Sequence, residues 1–149
     1  MRKKGLVLLA MFFAALILGG CSTSKSFTFR VETGENVKVT LDTTNGLDLR
    51  QSDGQFTVVD KEGNALLDGM FLLGSMFEHY AAEIPSMANV TVNDARDDFI
   101  YWDYTEEDGS KEHNRALKLS DNTGVIIGSL AEKAAGEEAY QALSFEIVE

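Results

Sequence analysis

The chain has 149 residues with 13 Lys and Arg against 24 Asp and Glu, a formal net charge of −11. One domain with its own core fits that length, with little left for a second. The acidic balance repels phosphate backbones and argues against nucleic acid as a partner, and a single cysteine, Cys21, leaves no disulfide scaffold and no Cys-rich metal site.

Arg2, Lys3 and Lys4 give a basic start, Leu6 to Leu18 is an apolar run, and Leu18-Gly19-Gly20-Cys21 closes it with small residues before the thiol. These are the three parts of a secretory signal. The run is too short for a bilayer span, which needs about 20 apolar residues. The ending resembles the lipobox of bacterial lipoproteins. The resemblance implies that residues 1–20 are removed and that Cys21 becomes the lipidated first residue of an exported protein. The protein would then sit on the outer face of the cell membrane, or, since Ser22 follows the cysteine, on the outer membrane where there are two.

Cleavage would remove Arg2, Lys3 and Lys4, leaving ten basic residues against 24 acidic ones, a net charge of −14. Such a surface is also repelled by anionic headgroups, so attachment falls to the acyl chains. Ser22 to Ser26 reads as a short polar tether, giving a division into signal peptide (1–20), lipidated cysteine and tether (21–26) and one domain (27–149).

The first half of that domain alternates as strands do. Phe27, Phe29 and Val31 are interleaved with polar residues, as are Val37, Val39 and Leu41, then Leu47 and Leu49, then Phe56 and Val58. Between them fall Gly34, Asn45-Gly46, Asp53-Gly54 and Gly63-Asn64, which supply the positive φ of tight turns. The pattern predicts an antiparallel meander. Ser75-Met76-Phe77-Glu78 reads as a capping box opening a helix, with Phe77, Tyr80, Ala81 and Ile84 on one face and Pro85 as its stop. Strands resume at Val90 and Val92. Phe99 to Tyr104 is apolar on both faces, as in a strand covered on both sides, and turns at Asp108-Gly109. Ala116 to Leu119 and Val125 to Ile127 predict two more strands. Ser129-Leu130-Ala131-Glu132 reads as a second capping box. The helix it opens has an inner stripe of Ala131, Ala135, Ala139, Ala142 and Leu143, and a last strand runs from Ser144 to Val148.

The fold class is therefore α+β: a twisted, mostly antiparallel sheet with two main helices packed on it. The order of elements resembles the PsbP-like α/β/α sandwich, a family of photosystem accessory proteins and many bacterial lipoproteins. The resemblance is carried by the early meander, the helix after Ser75, and the ending Thr123-Gly124-Val125-Ile126-Ile127-Gly128-Ser129 with Leu143-Ser144-Phe145-Glu146-Ile147. It implies a non-enzymatic accessory or binding domain, commonly one that assists a larger membrane assembly, and it transfers no functional residue.

Catalytic and metal motifs are sparse. His79 is predicted to face solvent and His113 to lie on the surface near a turn. They lack any ligand spacing, so no metal or cofactor is expected. Asp94, Asp97, Asp98, Asp103, Glu106, Glu107 and Asp108 crowd one stretch but match no calcium loop. They read as a solvated rim beside an aromatic strand, as Glu137-Glu138 read as a solvated helix face. Asp97 and Asp98, taken as strand neighbours, would point to opposite faces. Gly128-Ser129 lacks the nucleophile elbow, and Ser22-Thr23-Ser24-Lys25 lies in the tether. Tyr101, Trp102 and Tyr104 are the candidate ligand-binding residues, since such rings suit sugars, peptides and protein contacts. The competing reading places most of them, Trp102 above all, in the core. The sequence thus predicts a lipid-anchored accessory domain with a membrane-protein partner. A small-ligand or glycan binder on the aromatic strand is the alternative, and a hydrolase a third.

Overall fold

The computed structural model describes residues 23–149. Residues 1–22, with the signal segment and Cys21, lie outside the described residues. Ten strands and two α-helices follow in the order β1 (Ser24–Arg30), β2 (Asn36–Asp42), β3 (Asp48–Ser52), β4 (Gln55–Val59), β5 (Ala65–Leu73), α1 (Gly74–Glu83), β6 (Val90–Arg96), β7 (Phe99–Thr105), β8 (Lys111–Lys118), β9 (Thr123–Ser129), α2 (Lys133–Gln141) and β10 (Leu143–Val148). A short 3₁₀ turn, Ile84–Ser86, follows α1, with Pro85 near its start.

The α+β class and the antiparallel pairing hold, but there are two sheets rather than one. Strands β1-β2-β10 form a small sheet, and β3-β4-β5-β9-β8-β7-β6 form a large one. The early meander is therefore split: β1 and β2 pair in one sheet, β3 and β4 in the other. The reason lies in the side chains. Val37, Val39 and Leu41 are fully buried on one face of β2, and Leu49, Phe56 and Val58 are fully buried on β3 and β4. Two one-sided sheets bury those faces by packing on each other. Phe29, Phe56, Phe71 and Phe145 meet there, with ring centroids 5.2–6.2 Å apart.

Beyond the small sheet, α2 extends the same layer, placing Ala139 in that core. On the opposite face of the large sheet, Phe77 of α1 and the adjacent Ile84 cover Ile100, Trp102 and Ala116. The large sheet is thus the middle layer, with one helix on each side.

Strand β5 is central to the large sheet and absent from the sequence prediction. Leu66 and Leu67 are adjacent apolar residues, and Asp68 and Gly69 interrupt the run, so no clean alternation marks it. Neither capping box forms. Helix α1 begins at Gly74, with Leu73 at its N-cap and no side-chain cap. Gly74 is wedged against the next loop: its N–H donates to Asn122 O at 2.7 Å, and a Cβ there would sit 2.3 Å from Asp121 O. Ser129 belongs to β9, and α2 starts four residues later. Leu143, assigned to the helix stripe, is the first residue of β10. Asp97 and Asp98 form the turn between β6 and β7 rather than part of a strand.

The predicted tether also contracts. Ser24 to Ser26 are already strand, paired with Asp42, Leu41 and Thr40. The Thr43 N–H donates to Thr23 O at 2.8 Å, and Lys25 Nζ lies 2.8 Å from Asp48 Oδ1.

Candidate functional site

The aromatic strand β7 divides its candidates between two faces. Trp102 and Tyr104 point to the α1 side with Ile100, and Tyr101 points to the α2 side with Phe99 and Asp103. Trp102 is buried, 7% exposed, among Phe77, Ile84 and Ala116, so the core reading holds for it. Tyr101 and Tyr104 are half-buried. The three rings do not share one surface.

On the α2 side the strands assemble a polar row that the sequence reading missed. Asp103 of β7 pairs in register with His113 of β8, and His113 pairs with Ser129 of β9. His113 Nδ1–H donates to Asp103 Oδ1 at 2.6 Å, with side-chain exposures of 11% and 9%. Both expectations for this pair are corrected: His113 is not a surface histidine, and Asp103 is not part of a solvated rim. Burial pushes the Asp103 carboxyl up. Hydrogen bonds from His113 and Asn93, with the charges of His113 and Lys133, outweigh it and hold the group below the ordinary carboxylate range.

An Asp, a His and a Ser in one row are the residue types of a nucleophile relay. Here the serine is committed elsewhere. Ser129 Oγ donates to Leu66 O at 2.6 Å, accepts from Ala131 N at 3.2 Å and is 3% exposed. Helix α2 lies on top of it, since a Cβ at Gly136 would come within 2.8 Å of the hydroxyl.

Next along the face, Arg115 is 3% exposed and held between two rings, its Cζ 4.1 Å from the Tyr101 centroid and 4.2 Å from that of Tyr140. Glu137 pairs with its guanidinium, so this carboxylate is not simply a solvated face. Burial pushes the Tyr140 hydroxyl up, partly offset by Arg115. The Tyr101 hydroxyl is buried and has no hydrogen-bond partner among the described residues. This stack fastens α2 to β7 and β8. His79, as predicted, is exposed on α1, 3.2 Å from Glu83.

A concave feature lies elsewhere, at the end of the two sheets remote from Thr23. A cleft of about 270 Å³ opens between the end of β1 and the residues after it (Phe29 to Thr33), the β3–β4 turn (Asp53 to Gln55) and the end of β5 (Met70 to Leu73). Phe29, Val31 and Phe71 give it an apolar floor, while Arg30, Glu32 and Asp53 stand exposed around it. Asp53 (φ 50°) and Gly54 (φ 76°) both take the left-handed backbone of a tight hairpin, which fixes that wall. The neighbouring corner is braced between the sheets. Thr33 and Thr123 hydroxyls lie 2.7 Å apart, and Thr123 and Ser120 donate to Glu35 Oε2 at 2.5 and 2.7 Å. The Thr123 bond, then that of Ser120, holds the Glu35 carboxyl low. The sequence marks the Asp53-Gly54 turn but not the cleft, which needs β5.

Among the described residues no group of three or more His, Cys, Asp and Glu side chains is placed to hold a metal ion, and no helix is long and apolar enough to cross a membrane. No family model, curated protein or solved structure matches the chain.

Proposed function

We propose that this chain is an extracytoplasmic lipoprotein, anchored through an acylated Cys21, whose domain is a non-enzymatic accessory module for another protein of the same membrane. The observation that carries the reading is polarity along β1. Its first residue lies three positions after Cys21, and its far end forms the cleft. Seven residues of strand rise about 23 Å, so an anchored domain would present the cleft away from the bilayer. The PsbP-like relationship belongs to the same proposal, supported by a central antiparallel sheet with one helix on each face.

The glycan or small-ligand reading on Tyr101, Trp102 and Tyr104 loses its shared platform, because Trp102 and Tyr101 sit on opposite faces. The hydrolase reading gains the Asp103–His113 pair but meets a serine enclosed by α2.

The test is intact mass of the membrane-extracted protein together with in-cell crosslinking, with Cys21→Ala as control. A diacylated Cys21 at the N-terminus and a membrane-protein partner lost in the control are expected. An uncleaved Met1 or an unmodified cysteine would falsify the anchor, and crosslinks unchanged in the control would sink the accessory role.

A further inference from the structure

Strand β5 outruns one of its neighbours. It pairs with β9 as far as Leu73, opposite Thr123, but with β4 only as far as Met70, opposite Gln55. Phe71, Leu72 and Leu73 therefore have a strand on one side only. In an antiparallel sheet successive residues of an interior strand direct both backbone groups alternately to one neighbour and the other. Within three consecutive residues at least one turns its N–H and C=O to the side beyond β4. Among the described residues no loop backbone group is bonded to these three. That side is the cleft, whose lining includes all three.

A cleft with main-chain donors and acceptors along one wall and an apolar floor fits one kind of occupant. An added strand satisfies the backbone groups, and its alternate side chains enter the apolar space. The volume of about 270 Å³ falls just under the roughly 300–1,000 Å³ of small-molecule sites and suits one or two side chains of such a segment. Charge narrows the choice. The chain carries −11 overall, and Glu32 and Asp53 stand at the mouth beside the single Arg30, so acidic segments are disfavoured and basic flanks favoured.

We infer that the cleft binds an extended, apolar segment of a partner polypeptide with basic flanks, added as a short strand along Phe71 to Leu73. This rests on the accessory reading above and names the chemistry of its partner.

The probe is a fluorescein-labelled nine-residue peptide, lysine at each end and leucine alternating with threonine between. It is titrated against the full lipidated protein in nanodiscs and read by anisotropy. Two N-methylated versions are made, one methylated at every leucine amide and one at every threonine amide. Only one set of amides can face β5. Micromolar binding is expected, with at least a tenfold loss in one version and retention in the other. Equal loss or equal retention overturns the strand addition. Glu32→Gln combined with Asp53→Asn should weaken binding at least threefold at low salt with an unchanged melting temperature; no change overturns the charge argument. Hydrogen exchange supplies the location. The peptide should slow amides within Phe71 to Leu73 and leave the edge strands β1, β3, β6 and β10 unchanged. Protection of one of those edges instead, protection by palmitate but not by peptide, or protection that rises with protein concentration alone would each overturn it in favour of non-specific edge pairing, an acyl chain or a second copy. The outcome separates from that of the accessory reading. A failed titration with a Cys21-dependent crosslinked partner removes only the strand addition, and binding without any such partner in cells removes the accessory role.

Discussion

The ring of Phe56 lies where a side chain on Gly69 would be. The two residues are paired across β4 and β5, and a Cβ on Gly69 would come within 2.0 Å of Phe56 Cζ. The glycine leaves a gap in the sheet and the ring fills it, at the centre of a cluster that also holds Phe29, Phe71 and Phe145. Gly69→Ala is therefore an overpacking change, although β-strand backbone tolerates alanine. It should cost about 3 kcal/mol, seen as a lower urea midpoint at constant slope. A change under about 0.5 kcal/mol would mean that the ring moves aside freely.

Arg115 should carry more stability than any surface charge. Arg115→Ala removes a buried group that two rings and a carboxylate hold, at a cost of about 3–5 kcal/mol. Arg115→Lys should recover little, because an ammonium cannot stack flat between Tyr101 and Tyr140. Glu137 is partly exposed but its partner is not, so Glu137→Gln leaves the buried guanidinium a neutral partner only and should cost about 1–3 kcal/mol. Thermal unfolding of the three variants orders them, and a lysine variant equal to wild type would refute the stacking argument.

Asp103 should govern part of the acid limb. Its folded carboxyl ionises more readily than the unfolded one, so the unfolded chain takes up the proton first as pH falls. The stabilisation is whole above the ordinary carboxylate range, about 4, and drains away as pH drops from there through the lower folded value. Asp103→Asn should be less stable at pH 7 by about 1–3 kcal/mol, with the gap to wild type closing below pH about 4. Parallel stability curves from pH 7 to pH 2 would disprove it.

Ser129 should behave as a fastener. Ser129→Ala leaves Leu66 O without its hydroxyl partner and should cost about 1–2 kcal/mol. A serine-directed fluorophosphonate should leave Ser129 of the folded protein unlabelled. Labelling that His113→Ala abolishes would revive the hydrolase reading.

The alternating strands were legible because their physics is local. Val37, Val39 and Leu41 alternate and are buried together, and Asp53-Gly54 turns as its residue types demand. What escaped depends on neighbours distant in sequence. The serines of both capping boxes had better or different uses: Ser129 bonds a carbonyl on β5, and at Ser75 the close fit of Gly74 against Asp121 goes with an N-cap two residues earlier, at Leu73. Strand β5 does alternate in burial, with Leu67 and Gly69 inside and Asp68 and Met70 exposed, but a glycine on the buried face and a methionine on the exposed one hide that alternation from a reading of residue types. The Asp103–His113 pair was within reach of arithmetic. A hairpin centred on Asp108 sets residues 103 and 113 opposite each other, and a shared face follows from pairing.

The bond from Thr43 to Thr23 has a consequence for how an anchored domain would search. Were Cys21 the acylated first residue, as proposed, only it and Ser22 would precede Thr23, and that leash would span about 7 Å at most, against the roughly 23 Å height of β1. Such a domain could spin about the membrane normal but could not reach upward, and its encounters would be confined to a thin slab of fixed altitude. Partner choice would then be set by height as much as by chemistry. A receptor segment lying at the level of the cleft would be met at every collision, and the same segment a few nanometres higher would never be met at all.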